Sequence, residues 1–412
     1  MKNGSSNIGR ILAEKDKNLA AWLTLWRVRG VGPVLFRDLC HYFESPEQAL
    51  KASHAQLIEA RVQHKVAAAI SSASLDDATP DLKWLEQDQQ TLLTWGQAEY
   101  PRLLTELGKT APPLLFVKGD VKALSIPQLA MVGSRNPTAS GKNIAKAFAQ
   151  HLSANGLAIT SGLAYGIDAA SHEGALKEGG CSIAVMATGA DRVYPARHRN
   201  LAHQIAEQGA LVTEFPIGVQ PRAQNFPRRN RLISGLSLGT LVVEAAMRSG
   251  SLITARFANE QGREVFAIPG SIHNPMVKGC HRLIRQGAKL VETADDVFEE
   301  LTALLSYQLM SPVKQSNHDV WSSSSSDQDE SDKIQQLPLS DVFSDKNSAT
   351  IQGDDPNQKI VLEAMEYELI SIEKLIAKTQ LSPEIVASVV LILELQGLIA
   401  TSGGGMYSRN QS

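Results

Sequence analysis

Cysteine is scarce: Cys40, Cys181 and Cys280 are the three in 412 residues, odd in number and widely spaced. This excludes a disulfide framework and the paired spacing of a zinc site, leaving reduced structural thiols. Apolar runs long enough to cross a bilayer are also missing, and Met1-Lys-Asn-Gly-Ser-Ser6 carries no apolar targeting core. A cytoplasmic protein with no membrane association is expected. The sequence has no nucleophile elbow, no Walker lysine loop and no zinc-ligand cluster, so no catalytic group, metal or cofactor is predicted.

What is present is an ordinary globular composition, 43% hydrophobic and 20% charged, of a length suited to about two or three domains. The net charge of −3 hides an asymmetry, because residues 306–355 hold nine Asp/Glu against three Lys and so leave the rest of the chain at +3. Seven arginines and no lysine fall within 191–231, at 192, 197, 199, 222, 228, 229 and 231, against Asp191, Glu207 and Glu214. Such a cluster is the electrostatic footprint of a polyanion site, or else a solvated face.

The pattern divides the chain into four parts. Residues 1–80 read as an all-helical domain, with apolar residues at helical spacing over Leu19–Trp26, a Gly30-Val31-Gly32 breaker, and Pro33 and Pro46 opening further helices. Two short helices around Gly-Val-Gly fit a helix-hairpin-helix that grips nucleic-acid backbone, and equally a small bundle with a tight turn. Residues 81–305 alternate apolar strands with helices: strands at 129–132, 157–160, 182–186, 210–213, 240–243, 264–268 and 289–291 predict an α/β, doubly wound parallel sheet, with 114–117 as an edge strand. Residues 306–355, with Ser322–Ser326 and the acids after it, read as a flexible linker. Residues 356–412, with three helices and a small hairpin, suggest a winged helix. Its third helix, Pro383–Gln396, has two Glu and no Lys or Arg, which suits protein contact better than a DNA groove.

The chemistry centres on residues 128–168. Val132-Gly-Ser-Arg135 and Thr160-Ser-Gly162 each end a strand with small residues before a helix. At such turns helix N-termini offer free amides, Gly133 and Gly162 let backbone approach a phosphate, and Arg135 adds a charged fork. The same glycines also serve simply as tight turns. Phe226 beside Arg228, Arg229 and Arg231 either pairs an aromatic face for an unpaired base with forks for phosphates, or is a core residue beside structurally ion-paired arginines. Arg197 and Arg199 follow Tyr194-Pro195, Ser249-Gly-Ser251 opens another helix as an anion nest, and Lys278 adds a cation. Asp168 and His172, one turn apart, are either an acid/base pair or an N-cap and a satisfied core histidine. Glu244 is the best lone carboxylate for hydrolysis, for holding a ribose, or for pairing with an arginine.

Val132-Gly-Ser-Arg135, Ser161–Asp168, Phe226–Ser237, Val242-Val-Glu-Ala245, Ser249–Ala255 and Gly262–Gly270 together resemble the DprA/Smf family of DNA-processing proteins. The resemblance implies an extended Rossmann-like fold and a non-enzymatic, homodimeric protein of natural transformation that binds and protects single-stranded DNA and helps load the RecA recombinase onto it. It carries the phosphate pocket to Gly133, Ser134, Arg135, Ser161, Gly162, Arg228 and Arg231, with a basic contact at Arg197. Ala187, Ser140 and His281 depart from the usual Gly, Tyr and Asn. From a different class, the same fold is similar to nucleotide-binding proteins and nucleoside-phosphate hydrolases.

Overall fold

The computed structural model describes residues 18–310, 356–365, 370–395, 398–402 and 406–409. The chain divides into two compact units, Met1–Trp321 and Ser322–Ser412.

The first unit is built on nine strands: β1 (Gln90–Thr94), β2 (Leu114–Gly119), β3 (Gln128–Val132), β4 (Ala158–Ser161), β5 (Ser182–Val185), β6 (Ala210–Thr213), β7 (Gly239–Val242), β8 (Glu264–Ala267) and β9 (Lys289–Leu290). Their order is β1-β2-β6-β5-β4-β3-β7-β8-β9. The seven from β6 to β9 are mutually parallel, and β2 and β1 add to β6 as an antiparallel hairpin. The expected strand at 114–117 is therefore not an edge. Leu114 and Phe116 face one core, Leu115 and Val117 the other, and the true edge is the unforeseen β1.

Nearly every residue of the central strands is buried, because helices cover both faces. One face packs Ala130, Val132, Val185 and Val212 against the Asn225–Gly235, Ser251–Glu260 and Lys278–Arg285 helices. The other packs Leu129, Met131 and Ile159 against the Ala139–Ala154 and Ile167–Ala175 helices. Farther along that second face, Leu114, Phe116, Ala184 and Leu211 share one continuous cluster with Leu23, Trp26, Phe36 and Trp84 of the N-terminal helices. Polar ties reinforce it: Trp26 Nε1 donates to Glu214 O (2.7 Å), Arg27 Nη2 to Ile217 O (2.9 Å), and Arg27 pairs with buried Asp81. The helix opening at Asp295 runs to Met310, past the expected start of the acidic linker at 306. The remainder of that linker, 311–355, lies outside the described residues.

The second unit contains the Pro356–Met365, Ile372–Thr379 and Pro383–Leu395 helices and strands β10 (Ile370–Ser371), β11 (Ile399–Ser402) and β12 (Met406–Arg409) in the order β10-β12-β11. Val361, Leu375, Val386, Val390, Leu393 and Ile399 form its core. This is the expected winged helix, with β11 and β12 as its small hairpin.

Candidate nucleic-acid interface

Chain order reverses at β3, since β4, β5 and β6 follow on one side of it and β7, β8 and β9 on the other. A crevice opens at such a switch point beyond the carboxyl ends of the strands. Here it is a cavity of about 610 Å³, lined from β3 by Val132–Arg135, from β4 by Ala164 and Asp168, from the Asn225–Gly235 helix by Phe226, Arg229 and Asn230, and from β7 by Ala246 and Arg248–Ser251.

Its floor is tightly specified. A side chain on Gly162 would meet the Arg229 guanidinium at 2.6 Å, and one on Gly133 would meet Ile167 at 2.6 Å. Both glycines thus make room for the protein's own side chains, a use of glycine that the turn pattern does not reveal. Gly166, at φ +82°, lies against Ser134 O and the Arg135 backbone. Buried Arg229 donates from Nη1 to Gly162 O (2.6 Å) and to Val185 O, and from Nε to Asn230 Oδ1 (3.1 Å). Burial lowers its pKa to about 10, against the attraction of Asp168. Asp168 Oδ2 accepts the Gly162 and Ala164 amides at 3.1 and 3.3 Å. Burial raises its pKa, opposed by Arg229 and those two amides.

Several expected contacts are corrected by this arrangement. Ser161 and Gly162 are not among the lining residues, because the Ser161 hydroxyl donates to Met131 O (2.6 Å) and the Gly162 amide is taken by Asp168. Gly166, not Asp168, caps the Ile167–Ala175 helix. His172 makes no bond to Asp168: Ser182 Oγ donates to Ile159 O, so His172 Nδ1–H donates to Ser182 Oγ (2.7 Å), and Nε2 has no partner among the described residues. Burial pushes the His172 pKa down to about 3, helped by His198 and Arg229. Glu244 does not line the cavity. Its backbone oxygen accepts the Ser134 amide (2.7 Å) and its Oε2 accepts the Thr138 amide (2.8 Å), so it braces the turn after β3.

The mouth, in contrast, is open and positive. Exposed Arg135 holds its guanidinium carbon 5.3 Å from the centre of the half-buried Phe226 ring. Exposed Arg248 lies across from it on the β7 loop, immediately before the Ser251–Glu260 helix, whose N-terminal turn lines the cavity. Ser249 and Ser251 hydroxyls bond each other at 2.6 Å, and the Ser251 amide donates to Ser249 Oγ at 3.3 Å. Sequence reading missed Arg248 and Asn230. Arg248 had a signal, an arginine adjoining Ser-Gly-Ser after a buried strand; Asn230 had none until Asn225–Gly235 proved helical. That helix escaped notice because Pro227 breaks its pattern, although in a first turn proline costs no hydrogen bond.

Arg228 and Arg231, expected in the phosphate pocket, instead clasp fully buried Glu214. Arg228 donates from Nε and Nη2 at 3.0 and 3.2 Å, and Arg231 from Nη2. Arg228 also stacks 5.3 Å from Trp26 and 5.2 Å from Phe215. Arg197 and Arg199 are exposed on the turn and helix start after Tyr194, outside the lining. Lys278 is exposed at the start of the helix whose Gly279 amide donates to Ala245 O (2.7 Å), one residue from the lining Ala246.

Fold and site define a class: a Rossmann-like α/β protein with a cavity at its switch point, lined by two exposed arginines. The model of DNA recombination-mediator protein A matches residues 91–302, that of the DprA winged helix domain 345–405, and that of the DprA-like N-terminal HHH domain 16–64. Protein Smf of Synechocystis sp. is 35% identical over 402 residues, 95% of this chain and 98% of that protein. Protein Smf of Escherichia coli is 52% identical over 222 residues, 53% of this chain and 59% of that protein. The crystal structure of DNA processing protein A from Streptococcus pneumoniae aligns with a TM-score of 0.51 at 36% identity, covering 66% of this chain and 98% of that one. The chain belongs to the DNA recombination-mediator protein A family, that of DprA and Smf.

Proposed function

We propose that this chain is a single-stranded DNA-binding mediator of natural transformation, working in the cytoplasm without catalysing a reaction. One observation carries the reading: Arg135 and Arg248, neither in an ion pair among the described residues, line one cavity together with the first turn of the Ser251–Glu260 helix, and the Phe226 ring lies beside Arg135. A phosphate fits between the guanidinium forks at the positive end of that helix, and a base can lie on an aromatic surface only when it is not already paired. Ser134, Ser249 and Ser251 offer hydroxyls to the same anion, while Arg197, Arg199 and Lys278 extend the positive field outside the cavity. In this reading Arg229 acts from beneath, holding the turn at Gly162. Protection of incoming DNA, RecA loading and homodimer formation are part of the proposal, supported by family membership and not by a feature of this site.

The test is an anisotropy titration of a labelled oligonucleotide, single- and double-stranded, across a salt series. Single strands should bind more tightly, with log affinity falling against log salt by about 0.7 per neutralised phosphate. Arg135→Ala should weaken binding and flatten that slope by about one phosphate's share. Absence of binding to either form at low salt overturns the reading and moves attention to mononucleotides in the same cavity.

A further inference from the structure

Two large rings stand at the rim of the cavity with nearly half of their surface open: Tyr194 is 49% exposed and Tyr165 is 44% exposed. Neither is among the lining residues, and neither side chain forms a hydrogen bond among the described residues. Each has one ring neighbour. Tyr194 lies 5.8 Å from Phe226 with the planes tilted 56°, so it continues the aromatic surface that begins under Arg135. Tyr165 meets His198 edge-on at 5.0 Å, and His198 is fixed by a bond of 2.8 Å from Nδ1 to Leu163 O.

Both rings are tied to the cavity by short backbone. Tyr165 sits between Ala164, which lines it, and Gly166, which rests on the Arg135 backbone. Exposed Arg197 and Arg199 follow Tyr194 within five residues of chain, and neither forms an ion pair among the described residues. Open rings alternating with unpaired guanidinium groups are the furnishing of a strand path: the rings take bases of any identity and the cations take the backbone.

We propose that Tyr165 and Tyr194 are stacking platforms for bases of the strand whose phosphate occupies the cavity. This rests on the single-strand reading above and extends it from one phosphate to a path of several nucleotides. Tyr194 and Phe226 carry bases on one side, and Tyr165 with His198 carries one on the other. Because a ring attracts a base without neutralising a phosphate, the platforms contribute affinity that salt does not remove.

The experiment uses the full chain and three probes of equal length: oligothymidylate, an abasic oligodeoxynucleotide, and a duplex. Wild type is compared with Tyr165→Ala, Tyr194→Ala and their Phe counterparts, folding being checked by circular dichroism. Each Ala variant should bind oligothymidylate about tenfold more weakly, about 1.4 kcal/mol, with the salt slope unchanged. Abasic and duplex binding should stay at the wild-type level, and the Phe variants should bind oligothymidylate as wild type does. Ala variants that bind oligothymidylate like wild type overturn the platforms while leaving the phosphate reading intact, provided that Arg135→Ala still flattens the slope. Equal losses on the abasic strand also overturn them, pointing to a role in rim shape. A wild type that binds no single strand overturns both proposals together.

Discussion

The arginines of this protein fall into two groups that their residue type does not distinguish. Arg228, Arg229 and Arg231 sit within one turn of one helix, yet all three are engaged by protein: two by the buried Glu214 carboxylate and one by Gly162 O and Val185 O. Arg135 and Arg248, far apart in the chain, are exposed and meet at one cavity. The difference shows that partner geometry, more than local charge density, decides whether a cation is available to a ligand. A dense run can neutralise itself by drawing a single carboxylate out of solvent, whereas isolated arginines on loops after parallel strands keep their donors free.

The comparison can be broken most sharply at Glu214. Replacing it by Ala leaves two guanidinium groups with no carboxylate in a mostly buried site, and should cost about 3–5 kcal/mol of stability, read as a lower urea midpoint. If instead Glu214→Ala were fully stable, the two arginines would be held by other forces and the contrast would fail. Gly162→Ala presses a methyl group into Arg229 and should cost about 1–3 kcal/mol, again by urea titration, with Ser161→Ala smaller.

The buried side also has a pH signature. His172 holds a folded pKa of about 3 because of burial and the nearby His198 and Arg229, against about 6.5 unfolded. The unfolded chain therefore binds the extra proton between those values, so this group's stabilisation is complete above about pH 6.5 and declines as pH falls toward 3. Unfolding at pH 7.5 and pH 5 should show a loss of about 2 kcal/mol from this residue, and His172→Gln should remove that part. The smallest effect belongs to the exposed side: Arg248→Ala should leave the urea midpoint unchanged and reduce the salt slope for single strands by about 0.7.

Much of the architecture was legible because a parallel sheet demands continuous apolar runs, and Leu129–Val132 or Ala210–Thr213 admit few other readings. Polar Gln90 and Thr91 hid β1, which is half-covered and needs no such run. At the site, Gly133, Arg135, Phe226, Ser249 and Ser251 were named from local pattern and Ser134 from the family resemblance, and all line one cavity. Gly162, Arg228 and Arg231, named from local pattern, and Ser161, named from the resemblance, do not, because the groups that engage them, Met131 O, Asp168 and Glu214, are fixed only by tertiary packing. No pattern within residues 225–235 announces that Glu214 is reached by two of its arginines.

The cluster shared by Trp26, Phe36 and Trp84 with Phe116 and Leu211 has a consequence for biosynthesis. The helical segment leaves the ribosome before the sheet, since the strands that cover its apolar side come from later codons, and β6 comes after five others. Until Leu211 has been translated, the nascent helices present an uncovered greasy surface, the condition in which chaperones engage a growing chain. Residues made before the sheet are thus finished only after most of it exists.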